Sequence, residues 1–321
     1  MAIFRILPVL VAALAAGAGQ AQDYPSRPVR VIVPWPAGGS NDTTARVVMK
    51  AVSESIGQPV VVENKAGAAG LIGANLVAKA RPDGYTLMVH SATHLANAFL
   101  YKKLPYDTLR DFTPVALLAA QPSALAVRAS LPARNVGEFV KLARSRPRGL
   151  SYSSAGVASA SHLPMLMLAA ATGVDLLHVP YNGGNPQTMA LAAQEVDASI
   201  TILSTVLPHL QSGAVRLLAV TSVGRSSAVP EVPTLAEAGI KDFDFTPWIG
   251  LFAPTDTPAA IVGKLNTEVR KALDRPEVRK TLQRQALDPW PASPAEFSRR
   301  VREDSDKYAA LIRATGAGLK E

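Results

Sequence analysis

The chain of 321 residues contains no cysteine. That excludes disulfides, a lipid-modified N-terminal cysteine and any thiolate metal site, so the fold is held by its core alone. Aromatic residues make up only 6% of the chain, and none interleaves the densest basic cluster, Arg144, Arg146 and Arg148. The rest of the net charge of +8 is scattered. Without a basic stripe or a recognisable module, nucleic-acid binding is not expected. Beyond the N-terminus no run reaches the roughly 18 apolar residues of a membrane helix, so the mature chain is expected to be soluble. Three sequence signatures are also missing. There is no G-x-x-x-x-G-K-[ST] loop for phosphates, no G-x-G-x-x-G for a dinucleotide, and no G-x-S-x-G nucleophile elbow. Ser161 and His162 are adjacent at an expected helix start, where they need not meet as nucleophile and base. His90 and His94 have no acidic neighbour close in sequence, so a pair of loop histidines is expected rather than a metal site. Neither metal nor cofactor is expected.

What is present begins with a leader. One positive charge at Arg5, an apolar run over 6–16 and small residues after it give the anatomy of a secretory signal peptide. Cleavage is expected after Ala21 or Ala18, and the apolar run is too short to span a bilayer. The remaining length suits two domains, and a composition 48% hydrophobic and 18% charged is that of an ordinary globular protein.

Strand and helix patterns alternate after the leader. Val29–Val33 reads as a strand; Ala45, Val48, Met49, Val52 and Ile56 recur at helical spacing up to Gly57. Strands are expected over 60–62 and 85–89 with a helix over 71–80 between them, the βαβαβ rhythm of a parallel sheet. A second set follows: a helix over 136–145 opened by Asn135 and Glu138 as a capping box, strands over 150–153, 176–179, 198–202 and 217–221, and helices over 162–171 and 188–194. The last part is helical, over 259–273 and 277–285, with a long helix announced by Ser293, Pro294 and Glu296. The segments 117–128 and 242–253 are expected to cross between the two sets.

Two turns share one design. In "VPWPAGGSND" a strand runs through Trp35 into Gly38-Gly39 and then a helix, where Ser40 or Asn41 is placed to cap. In "HVPYNGGNPQ" a strand runs through Tyr181 into Gly183-Gly184 and then a helix. Free N–H groups at a helix start, with the positive end of its dipole, suit an anion, and glycine lets a ligand approach the backbone. An ordinary strand-to-helix corner would also favour glycine. A third loop, "SYSSAGVASASHL", is rich in hydroxyl donors and leads into a helix at His162. Trp35, Tyr181 and Trp248 suit a cleft wall or a core, with the first two favouring the cleft from their place beside the turns.

Taken in order, "YPSRPVRVIVPWPAGGSND", "QPVVVENKAGAAGLIGA", "RPDGYTL", "LYKKLPYD", "HVPYNGG", "LPHLQSGAVRLLAVTS", "VPTLAEAG" and "GLFAPTDTP" resemble the substrate-binding proteins of tripartite tricarboxylate transporters, the Bug-type periplasmic solute receptors. The resemblance runs from about Tyr24 to the C-terminus. It implies a two-lobed α/β periplasmic-binding-protein fold, type II-like, each lobe a sheet flanked by helices. A leader of 1–21 would precede a first lobe of 22–124 with 247–321 and a second of 125–246. It further implies a carboxylate held in the cleft, largely through backbone groups and bound water, by a periplasmic monomer that serves the large and small integral membrane subunits of a transporter. Carried over by motif, the ligand residues are Gly38, Gly39, Ser40 and Asn41 of the first turn; Ser91 and Thr93 after the third strand; Gly156, Ser159, Ser161 and His162 of the serine-rich loop; and Tyr181, Gly183 and Gly184 of the second turn. Trp35 joins them by its place beside the first turn. Asn182 stands where the family often has lysine. The apolar "ASITILST" replaces its usual acidic or amide residues, leaving Ser204 as the candidate for the distal end of the ligand. An exported enzyme acting on a carboxylated small molecule is the alternative, and it would need a positioned acid, base or nucleophile in the cleft.

Overall fold

The computed structural model describes residues 24–146 and 149–315. The expected leader, 1–21, and Arg148 of the basic cluster lie outside the described residues.

The first sheet starts with β1 (Val29–Val33), buried at every position except Arg30. Unbroken burial of β-branched residues is what a parallel strand covered on both faces requires. α1 (Ser40–Ile56) follows, and Gly57 ends it in the left-handed region at φ 67, its N–H donating to Ser53 O. Then come β2 (Val60–Asn64), α2 (Leu71–Ala78), β3 (Thr86–Ser91), α3 (Thr93–Leu100) and β4 (Phe112–Ala120). A two-residue passage, Gln121 and Pro122, leads to β5 (Ser123–Arg128) in a second sheet. There the chain builds α4 (Val136–Ser145), β6 (Leu150–Ser154), α5 (His162–Thr172), β7 (Leu176–Pro180), α6 (Gly184–Ala192), β8 (Ala198–Ile202), α7 (Leu203–Gln211) and β9 (Val215–Val220). It returns to the first sheet with β10 (Trp248–Pro254), α8 (Ala259–Asp274), α9 (Pro276–Gln283), β11 (Asp288–Pro289) and α10 (Pro294–Ala314).

The first sheet has the order β11-β4-β10-β3-β1-β2 and the second β7-β6-β8-β5-β9. Neither is purely parallel, contrary to the sequence rhythm. The βαβ units β1-β2, β1-β3, β6-β7 and β6-β8 are parallel, but β10 runs antiparallel to β3 and β4, and β5 antiparallel to β8 and β9. The antiparallel strands include those entering from the other sheet, which arrive without a crossover helix to turn them round. Helix α6 also starts earlier than the expected 188, because glycine at its N-cap and Pro186 in its first turn are compatible with a helix start. The capping box of α10 is complete. That of α4 is half formed: Asn135 Oδ1 accepts the Glu138 N–H at 2.8 Å, while the Glu138 carboxylate takes the Arg134 N–H rather than that of Asn135.

The two sheets are fastened along the return path. Gln121 N–H donates to Pro247 O at 2.7 Å, so the two crossing segments bond to each other. Trp248, fully buried, packs edge-on to Phe297 of α10 and gives its indole N–H to Asp304 at 2.8 Å. Asp304 also binds Arg300 and Lys307, and Arg300 reaches Asp244 of the second crossing at 2.6 Å. Of the three tryptophan and tyrosine candidates, Trp248 therefore belongs to the core. A side chain at Gly250 of β10 would collide with the Phe297 ring, which explains glycine inside a central strand.

Candidate functional site

Strand register fixes where the glycine turns open. β10 is antiparallel to both β3 and β4, and β3 is parallel to β1, so β4 ends at Ala120 on the edge where β1 and β3 also end. Two residues later Ser123 pairs with Ile202, the last residue of β8, and Ala124 pairs with Val220 at the end of β9. β6 and β7 run parallel to β8 and so finish on that same edge. The loops after β1, β2, β3, β6, β7 and β8 therefore all open toward the crossing, from two sheets. Ligands of open α/β sheets bind at the carboxyl ends of strands for this reason.

In the first turn Gly38 takes φ +84, and Gly39 is the N-cap of α1. The first intrahelical bond is Thr43 N–H to Gly39 O, leaving the N–H groups of Ser40, Asn41 and Asp42 outside the helical ladder. Neither Ser40 nor Asn41 caps the helix, contrary to expectation: no side chain caps it. Asp42 takes over the local bonding, its carboxylate accepting the Gly38 N–H at 2.9 Å, Asn64 Nδ2 at 2.9 Å and Arg46 Nε at 3.0 Å. Burial opposes its charge, but these three donors together hold its pKa below the usual carboxylate value. With its lone pairs occupied, Asp42 shapes the turn and is not a group facing a ligand. Asn41 Oδ1 and Trp35 Nε1 are buried without a hydrogen-bond partner in the protein. The Trp35 ring meets His90 edge-on, centroids 5.6 Å apart.

The β3 loop brings Ser91 and Thr93 together, their hydroxyls 2.8 Å apart. His90 and His94 are not loop residues: one lies in β3, the other in α3, and both are fully buried. Burial pushes His90 down to about 3 and His94 well below 6.5, so both rings are neutral. Among the described residues no group of three or more histidine, cysteine, aspartate or glutamate side chains is arranged to hold a metal ion.

On the second sheet Gly183 is the N-cap of α6 at φ +112, and Gly184 opens the helix. Nothing lies within 4 Å of a Cβ placed at Gly38, Gly183 or Gly184, so space is not what demands glycine there. Tyr181 is half-buried; its N–H holds Ser154 O at 2.8 Å and its hydroxyl reaches Glu195 at 3.0 Å. Gly156, at φ +115, takes a bond from the Ser154 hydroxyl to its carbonyl. The Ser161 hydroxyl accepts the Ala155 N–H, lies 3.0 Å from Ser159 and donates to Gln187 Oε1 at 2.7 Å. His162 Nδ1 accepts the Ala158 N–H. Ser161 and His162 thus engage other partners and form no nucleophile–base pair. His162 stacks on His178 at 4.0 Å and His178 on Tyr152 at 4.9 Å. Burial, aided by His178, pushes His162 down to about 4, and burial also lowers His178. Ser204 is exposed in the first turn of α7, a helix the apolar sequence did not announce.

Sequence reasoning missed four contributors. Asp42, Asn64 and Gln187 are polar residues whose partners come from other elements. The loop after β2 ends at the same edge and carries positive φ at Gly67, Ala68, Ala69 and Gly70. Its "KAGAAG" run was the available signal.

Comparison with known proteins agrees with this architecture. The model of the tripartite tricarboxylate transporter family receptors matches residues 44–317. A Pseudomonas sp. (strain P51) protein encoded in the tcbD-tcbE intergenic region is 39% identical over 312 residues, 96% of this chain and 93% of that protein. Two solved structures from Rhodopseudomonas palustris are similar throughout. Rpa4515 with adipate is 35% identical with a TM-score of 0.74, covering 92% of this chain and 99% of that one. MatC with bound malate is 36% identical with a TM-score of 0.70, covering 90% of this chain and all (100%) of that one. No helix among the described residues is long and apolar enough to cross a membrane. With the two-sheet fold and the family match over nearly all of its described length, this chain belongs to the tripartite tricarboxylate transporter receptor family.

Proposed function

We propose that this protein is a periplasmic receptor that captures a small carboxylate between its two lobes and delivers it unchanged to the membrane subunits of a tripartite transporter. One observation carries the reading. Two glycine-capped helix starts, at Gly39 and Gly183, open from different sheets toward one crossing, and no side chain caps either of them. Such ends attract anions through backbone N–H groups and the helix dipole. The relatives holding adipate and malate support a ligand with a carboxylate at one end and a second polar or acidic group at the other. A di- or tricarboxylate, an aromatic carboxylate or an acidic amino acid fits that description.

In this reading the lobes are 22–124 with 247–321, and 125–246, and the receptor works as a monomer. Gly38, Gly39, Ser40, Asn41 and Trp35 face Gly156, Ser159, Tyr181, Gly183 and Gly184, with Ser91, Thr93 and His162 behind them and Ser204 toward the far end. Ser161 supports its loop as well as the ligand. Glycine, hydroxyl and backbone donors bind well and react poorly, which favours a receptor over an enzyme. The test is a thermal-shift panel of carboxylates, neutral sugars and cations. A ligand at about a hundred times its dissociation constant adds roughly 2.7 kcal/mol of stability. A carboxylate that raises the melting temperature and is recovered unchanged is expected; stabilisation by sugars or cations alone would overturn the reading.

A further inference from the structure

Two side chains near the start of α6 bind the candidate ligand loops of the second sheet to one another without belonging to any of them. Gln187 is 1% exposed and uses its whole amide. Its Oε1 accepts the Ser161 hydroxyl at 2.7 Å, and its Nε2 donates to Ser199 Oγ and to Ile200 O, both at 2.8 Å. Ser161 in turn receives the Ala155 N–H at 2.9 Å, which folds the serine-rich loop back on itself. The Gln187 carbonyl accepts the Ser153 hydroxyl at 3.0 Å, and its N–H closes on the carbonyl of the N-cap, Gly183, at 3.3 Å. Thr188, also 1% exposed, continues the connection. Its hydroxyl bonds Gly184 O at 2.9 Å and lies 2.9 Å from Thr201 Oγ1, which lies 3.0 Å from Thr205 Oγ1 in the first turn of α7, beside Ser204.

We propose that Gln187 and Thr188 are positioning residues that fix the serine-rich loop, the second glycine turn and the start of α7 in one relative placement, and so set the affinity of the site. The physical reason is pre-organisation. Each loop presents backbone or hydroxyl donors, and donors aimed in advance lose less ordering entropy when a ligand arrives. A buried amide with both ends satisfied is suited to the task, because any displacement of one loop leaves a buried polar atom unpaired. Gln187 links the first loop to β8 and to the helix of the second; Thr188 links that helix to the third.

The proposal rests on the receptor reading for its functional part, so the experiment has one arm that needs no ligand. In Gln187→Met, a variant of similar size without hydrogen-bonding groups, the Ala155 amide should exchange its hydrogen at least ten times faster than in the parent. Amides of the first sheet should be unchanged. In the second arm, calorimetry with the best carboxylate of the panel should show at least a tenfold loss of affinity for Gln187→Met and for Thr188→Val, with cooperative melting retained. Thr188→Ser, which keeps the hydroxyl, should restore binding, a rescue that a loss of packing alone would not give. If Gln187→Met does not fold, Gln187→Asn keeps the amide but is one methylene too short to reach Ser161 and Ile200 together, and the same measurements apply. Parent-like exchange at Ala155, or parent-like affinity in a variant with loosened loops, overturns the proposal. If the parent binds no carboxylate, the receptor reading falls while the exchange arm still decides whether Gln187 holds the loop.

Discussion

At the scale of single residues, Gly183 separates binding from folding. Its φ of +112 is a region that β-branched residues avoid. Yet no atom lies within 4 Å of an added Cβ, so Gly183→Val strains the backbone by about 1–3 kcal/mol without a collision at the Cβ. The expected outcome is a folded variant that has lost at least a hundredfold in affinity; parent-like calorimetric titration would make the turn a mere corner. The buried histidines make a second prediction. His90 at about 3 and His162 at about 4 stay neutral in the folded state, while the unfolded chain takes up those protons near 6.5. Between pH 6.5 and about 4 the unfolded state therefore binds more protons, and stability falls as the pH falls. Thermal melts from pH 7.5 to 4.5 should show this decline, with a shallower slope in His94→Phe, because burial keeps the His94 ring neutral as well; an unchanged slope would remove His94 as one of its causes. Glycine pairs and serine-rich loops were legible in the sequence because their chemistry is local. Asp42 and Gln187 were not, because a polar residue near a helix start looks like any solvated one until its partners on other elements are known.

Helices and strands were the most legible level, and their ends follow from nearby residues. Ser293 and Glu296 announce α10 and form both bonds of the capping box. Ser293→Ala should cost about 1 kcal/mol by urea denaturation, and a loss near zero would mean the helix start is held by Phe297 packing alone. Strands rich in valine and isoleucine were readable for the same reason. Sheet order was not. β10 was seen as a crossing segment, but nothing in "WIGLFAP" says that it lies between β3 and β4. Gly250 records that placement after the fact, by leaving room for Phe297. Gly250→Val should destabilise the protein by about 1–3 kcal/mol through overpacking, read from its urea midpoint; an unchanged midpoint would mean that Phe297 moves aside at no cost. Helices α3 and α7 escaped notice because each is short and neither has a side-chain cap or an acidic first turn to announce it, and Pro208 inside α7 argues against a helix there.

For the whole molecule, the two crossing segments are bonded to each other at Gln121 and Pro247, and in the proposed receptor this joint is where the lobes would turn. Ligand should draw the lobes together, and small-angle scattering should record a smaller radius of gyration with the best carboxylate than without it. An unchanged radius would argue for a cleft formed in advance. The order of strands has another consequence, for how the molecule is assembled as its chain is made. Every strand of the second sheet is contained between Ser123 and Val220, so that unit can close as soon as its own sequence is available. The first sheet cannot. Its neighbours β3 and β4 have no contact as paired strands until β10 slides between them, and β10 starts only at Trp248. The half of the protein that starts first therefore finishes last, with β4 bare on both edges and β3 on one while the other half completes. A chain stopped before Trp248 should contain one finished sheet and one open to stray pairing with other copies, the form in which strand edges aggregate.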